Sequence, residues 1–186
     1  MSKSYFEPGR ELPIFGEYDV VVAGGGTAGM IAGIAAARNG AKTLVIERMG
    51  YLGGQFTGFM NTSWTCSDQL KRCVGGIAYE FFKKIEAAGG VENPNYDKDA
   101  YILYDSETAK YVITEMYEQQ ENLDALYLTM VTKAIMDGNK LSGLIIENKS
   151  GRQVVFAKQF IDCTGDADLL AFSGSHYEAL PVEDYH

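Results

Sequence analysis

The sequence predicts an α/β fold with a central parallel sheet, helices on its faces and an attached antiparallel β-meander. The first observation is residues 18–47, which read as strand, glycine-rich turn, helix and strand, and end in an acid. The second is residues 130–157, where three β-type stretches follow one another through short turns. The third is residues 159–166, an apolar run that ends in small residues where the chain re-enters the main sheet.

The opening strand is the apolar run at residues 20–23, and it leads into a complete G-x-G-x-x-G motif at residues 24–29. A helix rich in small residues is predicted from Thr27 to about residue 39, and Gly40 ends it. Such a turn lets backbone N–H groups and the positive end of the helix dipole face a pyrophosphate. In this motif Gly24 permits the tight turn between strand and helix. Gly26 lets the backbone approach the pyrophosphate, and Gly29 lets the helix pack closely on the sheet.

A second apolar strand at residues 43–46 ends on Glu47, which lies 47 − 24 = 23 residues after the first glycine. An acid at this position accepts hydrogen bonds from ribose hydroxyls and would repel a 2′-phosphate. Strand, glycines, helix, strand and acid therefore agree on dinucleotide binding, although glycines also cluster in ordinary turns.

Composition narrows the class of protein further. The chain has 186 residues, 46% of them hydrophobic and 22% charged, which favours one globular domain. Its net charge of −9 argues against nucleic acid and anionic membranes as partners. The apolar runs are too short to span a membrane, and the N-terminus lacks a signal-peptide core. Three cysteines without a C-x-x-C motif indicate reduced thiols, so we expect a cytoplasmic location.

The middle of the chain predicts packing elements. A helix over residues 77–88 and another over residues 106–120 each show one apolar face, and Asp105 or Ser106 caps the second. A strand over residues 123–129 is expected beside the first two.

Three further strands are predicted at about residues 130–136, 140–147 and 152–157. Residues 137–139 and 148–151 form the turns between them. This pattern replaces the crossover helix that an NAD-only domain would more often show.

Residues 18–58 resemble the N-terminus of FAD-dependent oxidoreductases, in the fold group of glutathione reductase and the succinate dehydrogenase flavoprotein. Members of that family run Tyr-Asp-Val-Val-Val, glycines, an Ala-rich helix, Glu-Arg and Leu-Gly-Gly, as residues 18–54 do here. The resemblance implies a Rossmann-like FAD-binding domain, with the ADP part of FAD on the first βαβ unit. It places Glu47 on the adenosine ribose and Gly53-Gly54 along the pyrophosphate and ribityl side, although such a Gly-Gly pair can also be a flexible loop.

Residues 160–166 resemble the second FAD signature of the family, usually written Ala-Thr-Gly. Cys163 stands where alanine is usual, and we expect it to pack rather than act as a nucleophile. Asp166 is either a contact on the FAD side or only a cap of the helix predicted at residues 167–172. With these segments, the resemblance covers roughly residues 10–174. The residues expected to bind the cofactor are Gly24, Gly26, Thr27, Ala28, Gly29, Glu47, Arg48, Gly53, Gly54, Gln55, Thr57, Val131, Thr164, Gly165 and Asp166.

Two departures from the resembled proteins narrow the chemistry. The redox C-x-x-x-x-C of disulfide reductases is missing after the Gly-Gly, and Cys66 and Cys73 come later with a different spacing, which favours ordinary thiols. The histidines of the sequence are His176 and His186, so no histidine is available for covalent attachment in the loop after Gly54. We therefore expect non-covalent FAD.

The sequence thus predicts the FAD-binding domain of a flavin-dependent oxidoreductase acting on a small molecule. Residues 18–174 form the domain, residues 1–17 an irregular arm, and residues 175–186 a tail or the start of a missing substrate domain. An isolated chain of this kind is expected to be incomplete and inactive. The sequence leaves open whether the chain forms a homo-oligomer. Three alternatives also stay open: an NAD(P)-binding Rossmann domain, a non-redox enzyme on this fold, and a non-catalytic cofactor-binding fragment. No catalytic residue is named, since the sequence shows no Ser-His-Asp set and no metal-spaced His/Cys cluster.

Overall fold

The computed structural model describes residues 4–60, 62–64, 71–96 and 101–178. Its helices are α1 (Thr27–Arg38), α2 (Gln55–Gly58), α3 (Gly76–Ala87), α4 (Ser106–Glu118) and α5 (Asp168–Phe172). Its strands are β1 (Ile14–Ala23), β2 (Thr43–Ile46), β3 (Thr62–Trp64), β4 (Tyr101–Leu103), β5 (Leu123–Leu126), β6 (Met130–Asp137), β7 (Lys140–Asn148) and β8 (Gly151–Asp162).

Six strands form one sheet in the order β5-β2-β1-β8-β7-β6. The first four run parallel to their neighbours, and β7 and β6 continue the sheet antiparallel. The βαβ unit, the parallel sheet and the meander predicted from the sequence are therefore confirmed. The order reverses at β1, since β2 lies on one side of it and β8 on the other, and this is the kind of position where open α/β sheets bind ligands.

The sheet is covered on both faces. One core joins α1, α3 and α4 to β1 and β2, and it buries Phe81, Ile113 and Met116 almost completely. The other core sets Leu144 and Val155 of the meander against strand residues such as Val21, which is fully buried. Burial of each such side chain stabilises the fold by about 1.5–3 kcal/mol.

Small residues of α1 let it lie close to the sheet. A Cβ at Gly33 would come 2.5 Å from Val45 Cγ2 and 2.8 Å from the Tyr117 hydroxyl. That hydroxyl donates a hydrogen bond to the Met30 carbonyl at 2.9 Å, which ties α4 to α1. This close packing fixes the position of the N-terminus of α1 relative to the carboxyl ends of the strands.

Two strands are longer than the sequence predicts. β1 begins at Ile14, so residues 14–17 of the expected irregular arm are sheet, because their backbone pairs with β8 from Val154 onward. β8 is one continuous strand, where a meander strand and a separate sheet strand were predicted. The polar Lys158 between those stretches stays exposed and forms an ion pair with Asp19 at 2.6 Å.

Helices α3 and α4 match their predictions within two residues, and Asp105 is the cap of α4, accepting the Thr108 N–H at 2.7 Å. The small sheet of β3 and β4 was not predicted, because three-residue strands carry no usable periodicity.

Cys66 and the side chain of Trp64 lie outside the described residues. No helix in the described ranges has the length and apolar character that a membrane crossing requires.

Candidate functional site

A cavity of about 970 Å³ opens at the carboxyl ends of β1, β2 and β8. All the residues expected to bind the cofactor line it except Gly29, Gly53 and Thr57. The predicted residues in its wall are Gly24, Gly26, Thr27, Ala28, Glu47, Arg48, Gly54, Gln55, Val131, Thr164, Gly165 and Asp166. The fold therefore brings three sequence-distant segments, and one strand of the meander, to a single cleft.

A smaller cavity of about 440 Å³ lies near the amino end of β2, beside Tyr18, Lys42 and Lys158. Both of its lysine ammonium groups already have partners. Lys158 pairs with Asp19, and the Lys42 ammonium donates to the Glu17 carbonyl at 2.9 Å. The larger cleft, at the carboxyl ends of the strands, is the candidate site.

The three glycines of the first motif differ in the space that a side chain would have at each position. Gly24 has a φ of +92°, and a Cβ there would come 2.3 Å from the Cys163 carbonyl oxygen. A Cβ at Gly29 would come 1.8 Å from the Gly24 carbonyl oxygen. At Gly26, where φ is −65°, a Cβ would meet no atom within 4 Å. Gly24 and Gly29 are therefore required by the protein itself, whereas the absent side chain at Gly26 keeps the cleft open at the N-terminus of α1.

Glu47 lies at the end of β2, with only 5% of its surface exposed. One carboxylate oxygen accepts the Gly25 N–H at 2.7 Å, and the other accepts the Met49 N–H, also at 2.7 Å. Its own backbone joins β5 and the segment after it, donating to the Leu126 carbonyl and accepting the Thr129 N–H. The carboxylate expected to bind ribose is thus already held by backbone groups of the protein.

The Gly-Gly loop lies against the first glycine turn. The Gly53 N–H donates to the Gly25 carbonyl at 2.8 Å, and the Thr27 hydroxyl donates to the Gly53 carbonyl at 3.1 Å. Gly53 therefore uses its N–H within the protein, and Gly54 is the member of the pair that lines the cleft. Thr57 is fully buried and donates to the Leu52 carbonyl, because α2 turns its hydroxyl towards the loop.

The second signature ends β8 in a set of local hydrogen bonds. Asp162 accepts the Thr164 hydroxyl at 2.7 Å and the Leu170 N–H at 3.2 Å. The Thr164 hydroxyl accepts the Asp168 N–H at 2.8 Å, which joins the signature to α5. Asp166 is exposed in the cleft wall.

Cys163 packs as the sequence predicts. Its N–H donates to the Ala23 carbonyl at 2.8 Å, which extends the ladder between β8 and β1. Burial raises the pKa of the Cys163 thiol, and the nearby Asp162 carboxylate raises it further. The group is therefore a neutral thiol at physiological pH rather than an activated nucleophile.

Several residues of the cleft wall carried no sequence signal. Met49, Met130 and Leu170 reach it from three separate segments. Phe59 also lines the cleft, and its side chain is 77% exposed. Phe56, in contrast, is buried and stacks on Tyr104 with ring centroids 4.1 Å apart. Among the residues that the structure describes, no group of three His, Cys, Asp or Glu side chains could hold a metal ion.

A model of the family described as FAD dependent oxidoreductase matches residues 19–181. The chain belongs to this family. The match includes both glycine segments, Glu47 and the end of β8, and it confirms the expectation drawn from the resemblance. FAD is therefore its cofactor.

The chain is also similar to curated proteins. The tRNA uridine 5-carboxymethylaminomethyl modification enzyme MnmG of Geobacillus thermodenitrificans is 30% identical over 167 residues, which is 90% of this chain and 23% of the relative. Dihydrolipoyl dehydrogenase of Trypanosoma brucei brucei is 56% identical over 45 residues, which is 24% of this chain and 9% of the relative. The chain thus spans less than a quarter of the length of these relatives.

Solved structures show the same fold at low sequence identity. A geranylgeranyl bacteriochlorophyll reductase-like protein of Thermoplasma acidophilum matches with a TM-score of 0.64 and 19% identity, over 89% of this chain and 44% of the other. The 3-ketosteroid-Δ4-(5α)-dehydrogenase of Rhodococcus jostii matches with a TM-score of 0.56 and 18% identity, over 80% of this chain and 46% of the other.

Proposed function

We propose that the cleft at the carboxyl ends of β1, β2 and β8 binds FAD non-covalently, as part of an enzyme that oxidises or reduces a small molecule. The observation that carries the proposal is the open space at Gly26, directly beside the N-terminus of α1. When bound, FAD supplies the hydride or electron transfer, and the protein supplies binding, orientation and electrostatics.

The residues of the cleft fit this cofactor. Gly26 is the N-cap of α1 and has no side chain, so a pyrophosphate can approach the N–H groups at the start of the helix. Thr27 and Ala28 lie in the first turn and are exposed to the cleft. Gly54 and Gln55 begin α2 on the same wall, and they are the proposed contacts on the far side of the pyrophosphate.

The adenosine end is assigned to the ends of β2 and β6. Glu47 and Arg48 form this wall, and Val131 lies across from them on the meander. The buried carboxylate keeps acceptor capacity beyond its two backbone bonds, since each oxygen has two lone pairs. Its negative charge disfavours a 2′-phosphate and so favours FAD or NAD over NADP.

The other end of the cleft is assigned to Thr164, Gly165 and Asp166. The Thr164 hydroxyl makes hydrogen bonds with Asp162 and Asp168. These bonds hold the neighbouring Gly165 in place in the cleft wall. Asp166 is exposed there and is the proposed polar contact on the FAD side. Non-covalent binding is supported by the cleft wall, which contains no histidine among the described residues.

The substrate, location and domain limits belong to the same proposal. A small-molecule substrate is favoured over nucleic acid because the net charge is −9, even though one relative is by name a tRNA modification enzyme. A cytoplasmic location is supported by Cys163, which forms no disulfide in the structure. The cofactor domain is assigned to residues 18–174, with residues 1–17 an arm whose last four residues join β1 and residues 175–186 a tail.

The test is the visible absorbance of the purified chain, before and after incubation with FAD and removal of unbound cofactor. We expect flavin absorbance to stay with the protein. A parallel titration with NADH examines the NAD-binding alternative. Tight NADH binding without retained flavin would contradict the proposal. Turnover with artificial electron acceptors then distinguishes an enzyme from a cofactor-binding fragment.

A further inference from the structure

The Glu47 carboxylate makes hydrogen bonds within the protein that a contact with ribose does not require. Its carboxylate is almost completely buried, and each oxygen accepts a short backbone hydrogen bond, from Gly25 and from Met49. Hydrogen bonds to an ionised acceptor are about twice as strong as neutral ones. The donors belong to two different segments, the glycine turn after β1 and the loop after β2.

Further bonds connect these segments into one wall. The Gly25 carbonyl accepts the Gly53 N–H, and the Met49 carbonyl accepts the Leu128 N–H at 3.1 Å. Gly25 is buried, and a Cβ there would come 2.5 Å from Leu52 Cδ2 and 3.0 Å from Glu47 Cβ. The glycine turn, the loop after β2 and the Gly-Gly loop therefore close around the Glu47 side chain.

We propose that Glu47 is a positioning residue that builds the phosphate-facing turn before any cofactor arrives. It holds Gly25 and Met49, and its effect on affinity comes chiefly through the shape of this turn rather than through ribose hydroxyls. The inference rests on the proposed function for the identity of the ligand, whereas the pre-built turn is a property of the cofactor-free chain. The physical reason is that removing the carboxylate leaves the buried Gly25 N–H without its acceptor, and an unsatisfied buried donor is costly.

The first test measures amide hydrogen exchange at Gly25 and Met49 in the cofactor-free chain. In Glu47→Ala we expect both amides to exchange at least about tenfold faster, the scale for losing a bond to a charged acceptor. In Glu47→Gln the side-chain carbonyl still accepts one N–H, so one of the two amides should stay protected.

Asp105→Ala is the matched control for this exchange experiment. It removes another carboxylate that accepts a backbone N–H, at the start of α4 and outside the cleft wall. Any general loss of stability appears in both variants, whereas faster exchange at Gly25 and Met49 should be specific to Glu47. Unchanged exchange at these amides in both Glu47 variants would overturn the proposal.

The second test separates positioning from ribose recognition. ADP and 2′,3′-dideoxy-ADP are titrated as competitors of FAD against the wild-type chain and Glu47→Gln. Positioning predicts that the variant loses affinity for both nucleotides by the same factor, about tenfold. A loss confined to ADP would overturn the proposal, because only ADP has ribose hydroxyls. If neither nucleotide competes in the wild-type chain, the proposed FAD site is contradicted and the exchange experiment alone judges the role of Glu47.

Discussion

Gly26→Val is expected to separate cofactor binding from folding. Gly26 has a negative φ, −65°, and the space around an added Cβ is empty to 4 Å. The Cβ of a valine therefore displaces no neighbour. We expect its side chain to occupy the cavity at the start of α1, where the pyrophosphate of FAD is expected to lie.

The size of the effect follows from the contacts that are blocked. Two phosphate contacts with N–H groups of the first helical turn are each worth about 1.5–3 kcal/mol, so their loss weakens binding by about 3–6 kcal/mol. This corresponds to a decrease of roughly a hundred- to ten-thousandfold in FAD affinity. The free energy of unfolding should fall by less than about 1 kcal/mol, the cost of a poorer N-cap residue.

Gly75→Val is the matched control. Gly75 is also a helix N-cap with extended backbone, at φ −142°, and a Cβ there meets no atom within 4 Å. It does not line the cleft. Calorimetric titration with FAD and thermal unfolding are measured for both variants. If Gly26→Val binds FAD as tightly as Gly75→Val, the pyrophosphate does not lie at the N-terminus of α1 and the assignment of the cleft is wrong.

The other predictions concern packing, covalency and the thiol. Gly29→Ala should lower the free energy of unfolding by about 2 kcal/mol or more, because its Cβ would lie 1.8 Å from the Gly24 carbonyl oxygen. Urea denaturation beside Gly9→Ala, where a Cβ meets open space, measures this, and equal losses would contradict it. Acid precipitation of the FAD-loaded chain should release all flavin, and colour retained in the pellet would disprove non-covalent binding. Alkylation of Cys163 should be slow at neutral pH and accelerate only above the ordinary thiol pKa, since its pKa is raised; peptide mass spectrometry at several pH values follows it. By linkage the folded chain holds this proton more tightly than the unfolded chain, so the stability contributed by Cys163 falls as pH rises above the ordinary thiol pKa.

Local sequence was sufficient for the elements that form the cleft's frame. The turn at residues 24–29, helix α1 and strand β2 were predicted almost to the residue, because strand period, glycine spacing and helix stop all act within a few residues. Twelve of the fifteen predicted site residues line the cavity for the same reason. They belong to strand ends and helix starts, whose positions follow once the βαβ order is known.

Tertiary structure alone decided how the segments meet. No local pattern shows that β8 runs unbroken from the meander into the parallel sheet, since its partners are β7 and β1 at distant positions in the chain. The same holds for the Gly53 N–H, which is used by Gly25, and for Met130 and Leu170, which join the cleft wall from separate segments. The strand pattern and the glycine spacing predict that the acid Glu47 lies at the end of β2. Its burial between the Gly25 and Met49 N–H groups depends on three loops closing together, and such contacts arise only when the whole chain is packed.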